Sequence, residues 1–118
     1  MKSLKYILPT LALTLFMGLS TFAQKSKPVS LEFEVGGVCD MCKKRIEKTM
    51  DIAGVVFAEY ELDTHTLSLV YKPNKIDEEK IHELLNEAGH DTEKSKATDE
   101  QYDAIHNCCK YREHLHNH

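Results

Sequence analysis

From Val29 onward the chain switches between two hydrophobic rhythms, and their order predicts a fold. Leu31, Phe33 and Val35 alternate with Glu32 and Glu34, the period-two pattern of a strand with one buried face. Gly36-Gly37 breaks that strand and opens a loop carrying Cys39. Cys42, Ile46 and Met50 then recur at every fourth position, with Lys43, Lys44, Arg45, Glu47 and Lys48 on the other faces. That is an amphipathic helix, and Gly54 is placed to end it. Val55 to Leu62 returns to strand, with Ala58, Tyr60 and Leu62 on one face. Asp63-Thr64-His65 makes a turn, and Leu67, Leu69 and Tyr71 form a third strand stopped by Pro73. So short a connection predicts an antiparallel hairpin.

Asp77 is placed to cap a second helix, with Glu78 and Glu79 in the first turn where the helix dipole favours them. Ile81, Leu84, Leu85 and Ala88 line its apolar face, and Gly89 closes it. His90 to about Lys96 is weakly patterned and is left to supply the fourth strand. The expectation is an α+β fold, a ferredoxin-like βαββαβ sandwich: a four-stranded antiparallel sheet with two helices on one face. Tyr60, Tyr71 and Phe33 read as core. In the tail, Tyr102, Ile105 and Cys109 have helical spacing behind a Thr98 cap, and His114, His116 and His118 read as a frayed end.

The start of the chain follows a different rule. Met1 to Lys5 carries two lysines and no acid, Tyr6 to Leu19 is almost wholly apolar, and Thr21-Phe22-Ala23 supplies a small-residue exit. This is the layout of a secretory signal peptide over 1–23. A membrane anchor is the rival, but the apolar run falls well short of the roughly 20 residues a spanning helix needs. No cysteine stands at the cleavage point to carry a lipid. The chain therefore divides into a signal peptide (1–23), a linker (24–28), one domain (29–96) and a Cys/His-containing tail (97–118). The mature protein is expected to be exported, periplasmic, monomeric and free of the membrane. Losing Lys2 and Lys5 reduces the 15 basic residues against 19 acidic ones, so no basic face exists to bind nucleic acid.

What remains to explain is four cysteines and seven histidines in so short a chain. Cys39 ends the loop and Cys42 lies in the first helical turn, a spacing that brings two sulfurs toward one point on a surface loop. The N–H groups at a helix N-terminus favour thiolates, which a metal requires. Two thiolates suit a soft ion of low coordination number: Cu(I) fits best, and Hg(II) answers the same description. Zn(II) prefers four closed ligands in a structural site. A disulfide, a thioredoxin-like redox site and incidental burial are the competing readings of the same spacing.

Gly36-Gly37-Val38-Cys39-Asp40-Met41-Cys42, followed by Ile46 and Met50, resembles the heavy-metal-associated domain family, which includes copper chaperones, copper-pump domains and periplasmic mercury-binding proteins. The resemblance runs from about Val29 to Lys94, takes in Gly54-Val55 and Ala88-Gly89, and implies the same βαββαβ fold. It implies metal binding by Cys39 and Cys42 and handover to a metal-exporting or metal-accepting protein. The chain departs from the signature at Gly37, where methionine usually pins the loop, and at Val38, where threonine or histidine is usual. A more mobile loop is therefore expected. His90 falls at a position the family varies, either as a third ligand or as an exposed loop histidine.

Cys108-Cys109 lies outside the resemblance. Adjacent cysteines do not bridge each other comfortably. They can add thiolates to the first site, form a second site with His106, His114 and His116, pair with other cysteines in redox chemistry, or be incidental. Lys43, Lys44 and Arg45 can dock an acidic partner or simply form a solvated helix face. No catalytic constellation is present, and the expected function is a non-enzymatic Cu(I) carrier or scavenger working by thiolate exchange. A thiol–disulfide oxidoreductase is the alternative from another class. Against it, the chain has no tryptophan beside the motif, and its only later proline is Pro73 at a strand end. A third reading is a histidine-rich subunit regulating a metal pump.

Overall fold

The computed structural model describes residues 27–105 and 107–115. The signal peptide, most of the linker, His106, His116 and His118 lie outside the described residues, as does the side chain of His114.

The predicted order of elements holds up to the second helix. Strand β1 spans Val29–Glu34, helix α1 Asp40–Thr49, strand β2 Val55–Glu61, strand β3 Thr66–Tyr71 and helix α2 Glu78–Glu87. The sheet is antiparallel in the order β1-β3-β2, so the central strand is the last of the three to be made. Leu31 pairs with Leu69 and Phe33 with Leu67, while Tyr60 pairs with Leu67 from the other side. Strict alternation therefore puts Phe33, Tyr60, Leu67, Leu69 and Tyr71 on one buried face, where Ile46 and Met50 of α1 and Ile81 and Leu85 of α2 cover them. Each such side chain contributes roughly 1.5–3 kcal/mol by leaving water. Asp77 caps α2 as its position predicts, its carboxylate accepting from the Lys80 amide at 2.7 Å.

The fourth strand does not form. Only Val35 and Thr92 make an isolated antiparallel bridge, supported by Gly36 N–H to Asp91 O at 2.8 Å and Glu93 N–H to Glu34 O at 3.0 Å. The sheet among the described residues has three strands, which corrects the four-strand expectation. The reason is local. The Thr92 amide turns back to Ser95 O at 2.8 Å, and Asp91 accepts from the Ala97 amide at 2.8 Å. This folds 91–97 into a tight turn instead of an extended edge.

Beyond that turn the tail is built into the molecule. Helix α3 (Asp99–Asp103) carries a full capping box between Thr98 and Gln101, and a 3-10 turn (Asn107–Cys109) leads to helix α4 (Tyr111–Leu115). Tyr102, Ile105, Cys109 and Tyr111 form a second apolar cluster with Cys42, edged by Val38 and Cys39. Two glycines make room for it. A Cβ on Gly36 would lie 2.5 Å from the Tyr111 ring, and one on Gly89 would lie 2.3 Å from Ile105. Gly89 also holds φ +97°, a conformation L side chains resist.

Gly89→Ala should therefore cost at least about 1 kcal/mol through backbone strain and displacement of Ile105. Urea unfolding monitored by tyrosine fluorescence measures it. An unchanged midpoint would mean that the tail does not pack on this turn.

Candidate metal centre

The CxxC site begins with an unusual helix cap. Cys39 takes the N-cap position with extended φ −143° and ψ 167°, and its side chain makes no capping hydrogen bond. The sulfur is thus free of the role that serine or aspartate would fill there. Cys42 follows one turn later, and its Sγ lies 3.4 Å from that of Cys39. The motif's spacing does converge the two sulfurs. Their surroundings differ, because Cys39 is half-buried whereas Cys42 is fully enclosed in the second apolar cluster. The expectation of two ligands on a surface loop is thus correct for one of them only.

Acidity divides the same way. Burial raises the Cys39 thiol, but hydrogen bonds from Cys109, from the Cys42 backbone and thiol, and from Cys108 outweigh it and bring it to about 7. Burial pushes the Cys42 and Cys109 thiols up. Near neutral pH the metal-free site therefore holds Cys39 partly as thiolate, with the Cys42 and Cys109 thiols protonated beside it. Helix position alone does not produce two thiolates, since the second cysteine pays for desolvation.

The loop is held by Tyr60, read from the sequence as core, by His65 of the predicted turn and by His90. Tyr60 donates its hydroxyl proton to Val35 O at 2.6 Å, His65 Nδ1–H donates to Gly37 O at 2.7 Å, and His90 Nδ1–H donates to Gly36 O at 2.7 Å. A Cβ on Gly37 would lie 2.9 Å from the Tyr60 hydroxyl and 3.2 Å from the Cys42 Cβ. Glycine replaces the methionine of the resembled signature because tyrosine already fills that space, and the expected loop mobility has no basis in these contacts. His90 is fully buried and stacks on Tyr111 with centroids 5.6 Å apart, so it is not an exposed loop histidine. Burial lowers its pKa to about 4, which keeps it neutral. Its Nδ1 is committed to the loop backbone.

Lys43 is also not simply solvated, since its Nζ donates to Tyr60 O at 2.8 Å. Lys44 alone of the basic run is exposed.

The tail cysteines arrive at the same place. Cys109 Sγ lies 3.0 Å from Cys39 Sγ, and Cys108 Sγ lies 4.0 Å from it. The sulfurs of Cys39, Cys108 and Cys109 all fall within 4.8 Å of one another. Cys108 is exposed, and its Sγ lies 3.3 Å from Met41 Sδ, a contact that no local pattern predicts. None of the four cysteines is in a disulfide.

This geometry is a loop-and-helix soft-donor site on a small antiparallel sheet. A model of the heavy-metal-associated domain matches residues 32–91, just over half of the chain. The chain belongs to the heavy-metal-associated domain family. No curated protein matched it. Among solved structures, a copper binding domain from HMA7, a P-type ATPase, is 30% identical with a TM-score of 0.52, over 54% of this chain and 89% of that one. The N-terminal domain of a potential copper-translocating P-type ATPase from Bacillus subtilis, in the Cu(I)-loaded state, is 26% identical with a TM-score of 0.53, over 56% and 85%. Oxidized MerP from Ralstonia metallidurans CH34, 18% identical with a TM-score of 0.53 over 56% and 94%, shares the fold. In this heavy-metal-associated domain the family match stops at Asp91, so the packed tail with Cys108 and Cys109 lies beyond it.

Alkylation of the reduced, metal-free chain should report the divided acidity. The thiolate fraction of Cys39 rises with pH through about 7, so its iodoacetamide rate should have a midpoint there, while native Cys109 stays unreactive. Peptide mapping by mass spectrometry reads both. A Cys39 midpoint at the 9.0 of an unperturbed thiol would contradict the hydrogen-bonded thiolate.

Proposed function

We propose that this protein is an exported soft-metal carrier or scavenger that binds Cu(I) at Cys39 and Cys42 and passes it on by ligand exchange. The observation carrying the proposal is the 3.4 Å approach of the two CxxC sulfurs beside a helix N-terminus, one of them already near its thiolate form at neutral pH. Membership of the family supports metal binding, and the printed descriptions of the two ATPase domains, both above 25% identity, favour copper as the cargo.

Transfer follows from the asymmetry. An incoming thiolate from a metal-accepting protein reaches the ion on the half-buried Cys39 side and adds before Cys39 leaves. Cys42, locked in the apolar cluster, holds on longest. Raising the coordination number before lowering it avoids a free ion, and soft thiolates favour it. The apolar run of 1–23 supports export, and the periplasm is the compartment proposed. Mercury is the second cargo to test because Hg(II) makes the same demand on two thiolates.

The reduced mature chain should bind one Cu(I) per molecule in native mass spectrometry. Cys39→Ser/Cys42→Ser should weaken that binding by at least about a hundredfold, with fold checked by circular dichroism because Cys42 is core. Wild-type affinity in the folded double variant would refute the assignment. Insulin reduction at the rate of a thioredoxin control would favour an oxidoreductase instead.

A further inference from the structure

We propose that the tail completes the metal site. Cys109 is the third thiolate ligand to the ion held by Cys39 and Cys42, and exposed Cys108 with Met41 forms a sulfur-lined mouth through which the ion arrives and leaves. The inference rests on the CxxC reading and adds to it the coordination number and the path.

Cys39 is the hub of the cluster. Its sulfur lies 3.0 Å from Cys109, 3.4 Å from Cys42 and 4.0 Å from Cys108. An ion with metal–sulfur bonds of about 2.3 Å holds three trigonal thiolates roughly 4 Å apart. Loading then requires Cys39 to draw back by about 1 Å from Cys109 and by less from Cys42. The half-buried Cys39 side can open by that much. Cys109 and Cys42 are both fully enclosed, so they form the floor, and Cys39 closes the ring above them.

The position of Cys109 is not the accident of a loose end. Tyr111, two residues on, donates its hydroxyl proton to Gly89 O at 2.7 Å and accepts from the Asp91 amide at 2.8 Å. Arg112 clamps Asp91 with both nitrogens, at 2.9 Å from Nε and 2.7 Å from Nη2, and reaches Ala97 O at 2.7 Å. Tyr102 and Ile105 belong to the same buried cluster as this cysteine. Contacts before and after Cys109 thus fix its sulfur against the CxxC loop without any metal to draw it there. Vicinal cysteines then face different surroundings: Cys109 points into the cluster, while Cys108 stays exposed with its Sγ 3.9 Å from Cys109 and 3.3 Å from Met41 Sδ. A thioether and a thiol at the rim are both donors a soft ion accepts.

Copper X-ray absorption on the full chain loaded with one Cu(I) tests this. Wild type should show three sulfur neighbours. Cys109→Ser and Cys109→Ala should each show two, with affinity weakened at least about tenfold. The alanine variant keeps the apolar packing, so agreement between the two separates loss of a ligand from loss of the tail's fold. Cys108→Ser should keep three sulfurs but deliver copper more slowly to a Cu(I) chelator. Two sulfurs in wild type, or three in both Cys109 variants, would overturn the third ligand while leaving the CxxC reading intact. Unchanged delivery by Cys108→Ser would overturn the mouth. A wild-type chain that binds no Cu(I) when reduced, with Cys39 and Cys109 serving only as a disulfide pair, would overturn both readings.

Discussion

Everything distinctive about this molecule depends on Tyr111 standing against Gly36. The ring occupies the space a side chain at position 36 would need, and its hydroxyl bridges Gly89 O and the Asp91 amide. One residue thereby joins the start of the metal loop, the end of α2 and the turn that replaces a fourth strand. Buried hydrogen bonds of this kind contribute about 1 kcal/mol each, but losing the ring would leave the Gly89 carbonyl and the Asp91 amide without this partner. The Asp91–Arg112 pair reinforces the contact. Although burial opposes it, the guanidinium holds the Asp91 carboxyl below its ordinary value.

The consequence is a site whose rigidity and reactivity come from different places. The loop backbone is fixed by Tyr60, His65 and His90, each donating to a carbonyl between Val35 and Gly37. The sulfurs are tuned by each other: Cys39 becomes acidic because neighbouring thiols donate to it, and burial keeps Cys42 and Cys109 protonated. A metal ion bound by these sulfurs would take the place of their S–H protons, so binding would release protons. Histidine here serves the backbone. His90 bonds the Gly36 carbonyl beneath the loop through Nδ1, so that nitrogen acts as a clasp on the backbone.

Much of this was legible in the chain. Alternation at Leu31, Phe33 and Val35, fourfold spacing at Cys42, Ile46 and Met50, and the Asp77 cap fix elements whose own residues determine their faces. The fourth strand was not legible as absent, because Asp91 and Thr92 turn the chain through partners at Ser95, Ala97 and Arg112 that no local pattern announces. Gly36-Gly37 read as a strand breaker. Its requirement is close approach by Tyr111 and Tyr60, which depends on residues far along the chain. The tail showed its cap at Thr98 and its apolar spacing, yet its docking is a long-range fact. The meeting of Cys109 with Cys39 across 70 positions is visible only once the fold exists.

Amide NMR during a Cu(I) titration of the reduced full chain tests most directly whether loop and tail form one centre. The account predicts that Val38 to Lys43 and Cys108 to Arg112 shift together and stop shifting at one equivalent. Shifts confined to the loop with a silent tail, or a tail that responds only beyond the first equivalent, would contradict it.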